Sequence, residues 1–84
     1  MITHIPEEFV IIGAALQRVG NSVALKKRVT SQEVKDYMNK LNTPIEYYED
    51  EYKFCKLDSE GTWVIEGSPP LSPPIVQLLL NATI

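Results

Sequence analysis

The short segment 22–29 decides between two folds for this chain of 84 residues. Val23, Leu25 and Val29 fall on one side of an extended strand, but Leu25 and Val29 also have the four-residue spacing of a helix. A helix here gives three helices followed by a β-hairpin, which is the winged-helix order. A strand here gives the order α-β-α-β-β, a small open sheet with helices on one face. We predict an α+β domain of the winged-helix type, with the open sheet as the alternative.

A helical pattern precedes this segment. Pro6 suits the first position of a helix, and the glutamates that follow it suit the positive end of the helix dipole. Apolar residues then recur at spacings of three and four up to Val19, where Gly20-Asn21 supplies a stop. The pattern predicts a core helix over residues 6–19, covered on most sides by the rest of the domain.

A second helical pattern follows the segment. Thr30 and Glu33 have the spacing of a capping box, in which each side chain bonds the backbone of the other residue. Val34, Tyr37 and the later apolar residues form one stripe, and Pro44 follows the pattern closely. These features predict a helix over residues 31–41, which is the recognition helix in the winged-helix interpretation.

The second half of the chain indicates strands and an extended connector. Residues 52–57 and 62–66 are rich in aromatic and β-branched types and flank a turn sequence, which predicts a β-hairpin. Residues 45–48 are a further candidate strand, before the acidic loop 49–51. Prolines after Gly67 predict a polyproline connector, in which Ser72 can cap a short final helix. The predicted division is a globular part over 1–67 and a connector with an apolar helix over 68–84.

Charge is distributed unevenly along the chain. The formal net charge is −3, but six of the eight basic residues fall within 18–40 and seven of the eleven acidic residues fall after residue 44. Phosphate binding requires several cations on one face, so this polarity favours contact with nucleic acid through the basic part. We therefore predict a regulatory, DNA-binding domain of the winged-helix type.

Residues that could carry catalysis or hold a metal are few. Cys55 is the single cysteine and lies in a predicted strand, and His4 is the single histidine. The sequence has no phosphate-binding loop, zinc-protease or nucleophile-elbow motif, and no apolar run long enough to cross a bilayer. We expect no catalysis, no cofactor, no metal and no membrane contact. The lone cysteine favours a reducing compartment, so we expect a cytoplasmic domain.

The predicted nucleic-acid contacts come from the basic part and from the outer face of the helix 31–41. Cations hold backbone phosphates, while polar side chains of a recognition helix face bases in the major groove. The predicted contact residues are Arg18, Lys26, Lys27, Arg28, Gln32, Lys35, Asn39 and Lys40. Tyr47, Tyr48 and Tyr52 are further candidates for stacking on bases or on a protein partner.

The apolar end of the chain favours a different function. Its aliphatic residues have too few polar neighbours to be left in water. They are Ile75, Val76, Leu78, Leu79 and Leu80. We expect this tail to pack on the domain, on a second copy or on a protein partner. The alternative to nucleic-acid binding is therefore a small protein-interaction module, such as an adaptor, an inhibitor or an assembly subunit, with an acidic face.

A resemblance to a known family rests on the sequence Arg18-Val19-Gly20-Asn21-Ser22-Val23-Ala24-Leu25. It resembles the Arg-x-Gly-Asn-Ser hairpin of the swapped-hairpin antitoxins, which include the MazE-type transcription regulators. The resemblance implies a dimeric DNA-binding hairpin with Arg18 and Asn21, flanked by Lys26 and Arg28. The chain departs from that family at Arg28, where such proteins have a proline, and in the helix predicted before the hairpin.

Overall fold

The structure, a computed structural model, describes residues 4–47 and 52–81. Helices and short strands follow one another within these residues as β1 (Ile5–Pro6), α1 (Glu7–Ala15), β2 (Leu16–Val19), β3 (Ser22–Leu25), β4 (Arg28–Thr30), α2 (Ser31–Lys40), β5 (Ile45–Glu46), β6 (Cys55–Leu57), β7 (Thr62–Ile65) and α3 (Pro73–Asn81). Tyr48 and the acidic loop 49–51 lie outside the described residues, so the predictions for them stay predictions.

The largest sheet among the described residues has three antiparallel strands in the order β4-β7-β6. Its hairpin β6–β7 turns at Asp58, whose carboxylate accepts hydrogen bonds from the backbone N–H groups of Glu60 and Thr62. Gly61 completes the turn with a φ of 80°, a conformation that costs glycine little. The hairpin that the sequence predicts in this region is therefore confirmed.

Residues 22–29 contain two strands, so the prediction of a helix there is wrong. β3 pairs with β2 across a two-residue turn, and β4 pairs with β7. Gly20 has a φ of 63° in that turn, which lets the chain reverse where the apolar spacing predicts the end of a helix and the family resemblance implies a hairpin. The winged-helix order of three helices followed by a hairpin does not match this arrangement.

The first helix ends earlier than predicted. α1 stops at Ala15, and the predicted last turn of the helix instead forms β2. The apolar spacing of Leu16 and Val19 continues the helical pattern, but pairing with β3 supplies partners for their backbone groups. The elements α1, β4, α2, β6 and β7 follow the α-β-α-β-β order of the alternative fold, with the β2–β3 hairpin inserted after α1 and β5 after α2. Instead of one open sheet, the described strands form three small sheets.

α1 lies in the core, as its apolar sequence predicts. Val10, Ile11 and Ile12 are at most 1% exposed. One cluster of buried side chains joins Ile11 and Ile12 to residues of the three-stranded sheet. A second cluster joins Val10 to Tyr37 of α2 and Leu79 of α3. The helix is thus covered on more than one side, and the other elements are arranged around it.

The three helices meet at Tyr37. Its ring lies against Gly13 of α1, where a Cβ would stand 2.6 Å from the hydroxyl oxygen. The same hydroxyl donates a hydrogen bond of 2.8 Å to the backbone carbonyl of Leu79. Burial raises the pKa of Tyr37, so the hydroxyl stays protonated and remains a donor. Tyr37 therefore packs α2 against α1 and bonds α2 to α3.

The capping box predicted at the start of α2 is confirmed. The backbone N–H of Glu33 donates to the Thr30 hydroxyl at 3.1 Å, and the backbone N–H of Thr30 donates to the Glu33 carboxylate at 3.4 Å. The helix begins at Ser31 and ends at Lys40, close to the predicted bounds. Both bonds satisfy N–H groups that a helix start otherwise leaves without partners.

We expect Thr30→Ala to lower the free energy of unfolding by about 1 kcal/mol, because it removes the cap of α2. Urea denaturation followed by circular dichroism measures the change. Thr30→Ser is the matched control, since it keeps the capping hydroxyl and should retain most of the stability. Equal losses for both variants would show that the cap contributes nothing.

We expect Gly13→Ala to destabilise the domain by about 1–3 kcal/mol through overpacking against Tyr37. Helix propensity alone predicts the opposite sign, a gain of roughly 0.5–1 kcal/mol. Urea denaturation therefore decides between the two effects by the direction of the shift. In a Tyr37→Leu background the ring is gone, and Gly13→Ala should then be neutral or stabilising. A stabilising effect in both backgrounds would contradict the close packing.

Candidate binding surface at the β2–β3 hairpin

The β2–β3 hairpin extends from the domain into solvent. Residues 17–23, which include its turn, are all exposed, whereas Leu16 and Leu25 at its base are half-buried. Leu16 pairs with Leu25, and Arg18 pairs with Val23, so these side chains share one face of the ribbon. The outer half of the ribbon is therefore accessible to a partner on that face and at its turn.

Two of the cations that follow the hairpin form ion pairs. Lys26 lies 2.8 Å from a carboxylate oxygen of Glu33 in α2, and Arg28 lies 2.6 Å from a carboxylate oxygen of Asp58 in the β6–β7 turn. The hydrogen bond from Lys26 is the main reason that the pKa of Glu33 lies below its ordinary value. For Asp58, the backbone N–H of Thr62 is the main cause of the lowered pKa. The base of the hairpin thus carries charges of both signs.

The remaining predicted contact residues are spread over two surfaces. Lys27 is exposed between β3 and β4, and Lys40 is exposed in the last turn of α2. Lys35 and Asn39 lie on the exposed face of α2 with Gln32, whose amide donates a hydrogen bond of 2.9 Å to Asp36. The exposed face of α2 therefore mixes cations with acids and does not continue the basic hairpin as one positive surface.

The tyrosines considered for stacking have different surroundings. Tyr52 packs against Trp63, with ring centroids 5.2 Å apart, and burial is the main cause of its raised pKa. Tyr47 is 64% exposed. Of the two, only Tyr47 presents most of its surface to a partner.

A cleft of about 550 Å³ lies between the hairpin and α3. The hairpin supplies a polar wall that includes Arg18, Asn21 and Ser22, and the chain around α3 supplies apolar side chains that include Val76 and Leu80. Arg18 is the one charged residue among the described residues that line it. The cleft therefore combines an apolar surface with a single positive group.

The apolar tail packs on the domain, which is one of the three locations expected for it from the sequence. Leu79 is 1% exposed and belongs to the core cluster of Tyr37. Ile75 and Leu78 line a small apolar cavity of about 190 Å³ together with residues from the start of α1, including Phe9. The two remaining aliphatic residues of the predicted sticky patch, Val76 and Leu80, are half-buried and line the cleft.

Cys55 is a packed core residue. Its side chain is 1% exposed, and its sulfur lies 3.9 Å from the backbone carbonyl oxygen of Glu8. Burial, and to a smaller degree the negative charge of Glu8, raises the pKa of Cys55 to about 12. The residue is therefore a thiol, and not a thiolate, at neutral pH.

The described residues contain neither a metal-binding cluster nor a membrane-spanning helix. Among residues 4–47 and 52–81, no group of three or more histidine, cysteine or acidic side chains is arranged to hold a metal ion. Within the same residues, no helix is both long and apolar enough to cross a membrane.

The cleft is the feature that sequence reasoning missed. Its two walls come from β2–β3 and from the chain around α3, and residues 18 and 76 are far apart in sequence. The only local signals were the hairpin turn Gly20-Asn21 and two aliphatic residues of the tail, Val76 and Leu80, that lie outside the apolar face of α3 that packs on the domain. Neither signal says that the two elements face each other.

Comparisons with protein families, with curated proteins and with solved structures find no match for this chain.

We expect Cys55 to resist Ellman's reagent at pH 8 in the native protein, because it is buried and only about 10⁻⁴ of it is thiolate at that pH. Absorbance at 412 nm reports the reaction. The same protein in urea is the control and should react at once. Prompt labelling of the folded protein would contradict the burial of this side chain.

Proposed function

We propose that this protein is a non-catalytic, regulatory domain that binds nucleic acid through the β2–β3 hairpin and the cations that follow it. One observation carries the proposal: residues 16–32 contain four basic residues and no acid, so all eleven acidic residues of the chain lie elsewhere. The basic residues are Arg18, Lys26, Lys27 and Arg28. Phosphate binding depends on such a local excess of cations and not on the net charge of the whole chain.

The shape of the hairpin supports the same function. A two-stranded β-ribbon fits the major groove of B-form DNA, where base edges can be read. Gln17 and Ser22 are exposed on the other face of the ribbon, which Arg18 does not share, and their side chains can exchange hydrogen bonds with base edges. The hairpin then contacts the base edges, a role that the winged-helix interpretation assigns to the helix 31–41.

The ion pairs at the base of the hairpin do not prevent phosphate binding. Pairs between exposed side chains contribute about 0–1 kcal/mol, so a phosphate can replace Glu33 at Lys26 and Asp58 at Arg28. The pair between Lys26 and Glu33 also joins the hairpin base to the first turn of α2. We propose that Lys35 of α2 makes a further backbone contact, with Gln32, Asn39 and Lys40 beside it.

A cytoplasmic location is part of the proposal. Cys55 is the only cysteine of the chain, and free thiols persist in a reducing compartment.

We expect weak binding of labelled duplex DNA at roughly 50 mM salt, with an affinity that falls as salt rises. The four cations of residues 16–32 predict a slope of about −3.6 in a plot of log K against log salt, and the contact of Lys35 adds about −0.9. If Lys26 and Arg28 keep their acidic partners, only Arg18 and Lys27 remain, and the slope is about −1.8. Absence of binding to duplex and single strand at this salt would overturn the proposal.

Lys27→Glu with Arg28→Glu should abolish this binding without unfolding the domain, because both side chains are exposed. The matched control is Lys53→Glu with Lys56→Glu, which changes the net charge equally at exposed positions outside residues 16–32. The control should lower affinity far less. Equal losses in both double variants would mean that overall charge, and not the hairpin base, governs binding. Circular dichroism verifies that each variant is folded.

The second candidate function is a protein-interaction module. It is favoured by the cleft, where Val76 and Leu80 remain half-buried beside the exposed hairpin instead of being enclosed. Retention on heparin at low salt separates the two functions, because a phosphate-binding hairpin is retained and an apolar docking site is not.

A further inference from the structure

We infer that the cleft between the β2–β3 hairpin and α3 is a binding site for a small aliphatic carboxylate. The inference shares Arg18 with the proposed phosphate contacts, but it does not depend on nucleic-acid binding. Its basis is the combination, in one cleft, of an apolar wall with Arg18, the one cation in the described part of the lining.

The apolar wall can take an aliphatic chain. Leu71, Val76 and Leu80 line the side formed by the chain around α3, and Val23, which is 43% exposed, lines the side formed by the hairpin. An aliphatic chain laid between them removes apolar surface from water on both walls. The volume of about 550 Å³ lies within the range of pockets that hold small ligands, roughly 300–1,000 Å³.

Arg18 supplies the charge that fixes the other end of the ligand. Its side chain forms no ion pair or hydrogen bond with another described residue, and no acid lines the cleft among those residues. A guanidinium group binds a carboxylate through two parallel hydrogen bonds. Asn21, in the turn next to it, is a further donor in the lining, whereas the amide of Gln77 already bonds Asn81 at 2.9 Å.

The count of charges favours a carboxylate over a phosphate group. A carboxylate carries one negative charge, which the one cation of the cleft neutralises. A phosphate monoester carries nearly two, and sites for it are built from several cations or from a helix start. In the cleft, the described lining supplies only Arg18 as a cation, and the rest of the wall is neutral.

The test uses octanoate as the ligand and backbone amide shifts of the ¹⁵N-labelled protein as the readout. Octanoate should shift the amides of Asn21, Ser22 and Val76 in a saturable way. Octanol, with the same chain and no charge, should bind at least about tenfold more weakly, because it lacks the charged hydrogen bonds to Arg18. Equal binding of octanol and octanoate would overturn the role of the charge. Shifts confined to the cavity at Phe9 would overturn the location.

Variants separate the contact with Arg18 from general charge effects. Arg18→Gln should weaken octanoate binding about tenfold and leave octanol binding unchanged, while Arg18→Lys should restore part of the affinity. Lys53→Gln removes the same charge at an exposed position outside the cleft and should have no effect. Unchanged affinity in Arg18→Gln would overturn the proposal. N-acetylleucine is the last probe: tighter binding than octanoate would overturn the small-molecule assignment and indicate the carboxyl end of a peptide.

Discussion

The contact between Gly13 and Tyr37 is the constraint on which the rest of the structure depends. Because Gly13 has no side chain, the Tyr37 ring can lie directly against the backbone of α1, and α2 packs closely on it. The hydroxyl of the same ring reaches the carbonyl of Leu79, so the position of α3 follows from that of α2. The apolar wall of the cleft is part of this chain of contacts, since Val76 and Leu80 project from the helix that Tyr37 holds.

The other wall of the cleft is set by a turn and by the end of a helix. α1 passes directly into β2 at Leu16, so the direction of the hairpin is determined by the buried helix before it. β4 returns the chain to the main sheet by pairing with β7, and Lys26 and Arg28 are tied to α2 and to the β6–β7 turn. The hairpin is thus anchored at both ends, although its outer half touches little else, which suits an element that binds partners.

Sequence reasoning succeeded where the decisive interactions are local. The capping box of Thr30 and Glu33 predicted α2, and the turn at Asp58 and Gly61 predicted the β6–β7 hairpin, because each signal lies within five residues of the element that it starts or joins. It failed at Leu16, where the apolar spacing continues the helical pattern although the chain forms a strand. Pairing between β4 and β7, and the cleft itself, join segments that are distant in sequence, and no local pattern encodes such contacts. The cations could be identified from the sequence, but not which of them pair with acids of the described residues.

The hairpin has a consequence for how copies of this protein meet. Among the described residues it forms a sheet of only two strands, so one backbone edge of β2 and one of β3 have no strand beside them. An open edge can pair with a strand of another molecule, which leads to aggregation. Two features limit such pairing here: each strand has only four residues, and β2 carries the cation Arg18. The protection from Arg18 is electrostatic repulsion between identical edges. Salt shortens the range of that repulsion, so edge pairing between two copies of this ribbon is less opposed at high ionic strength.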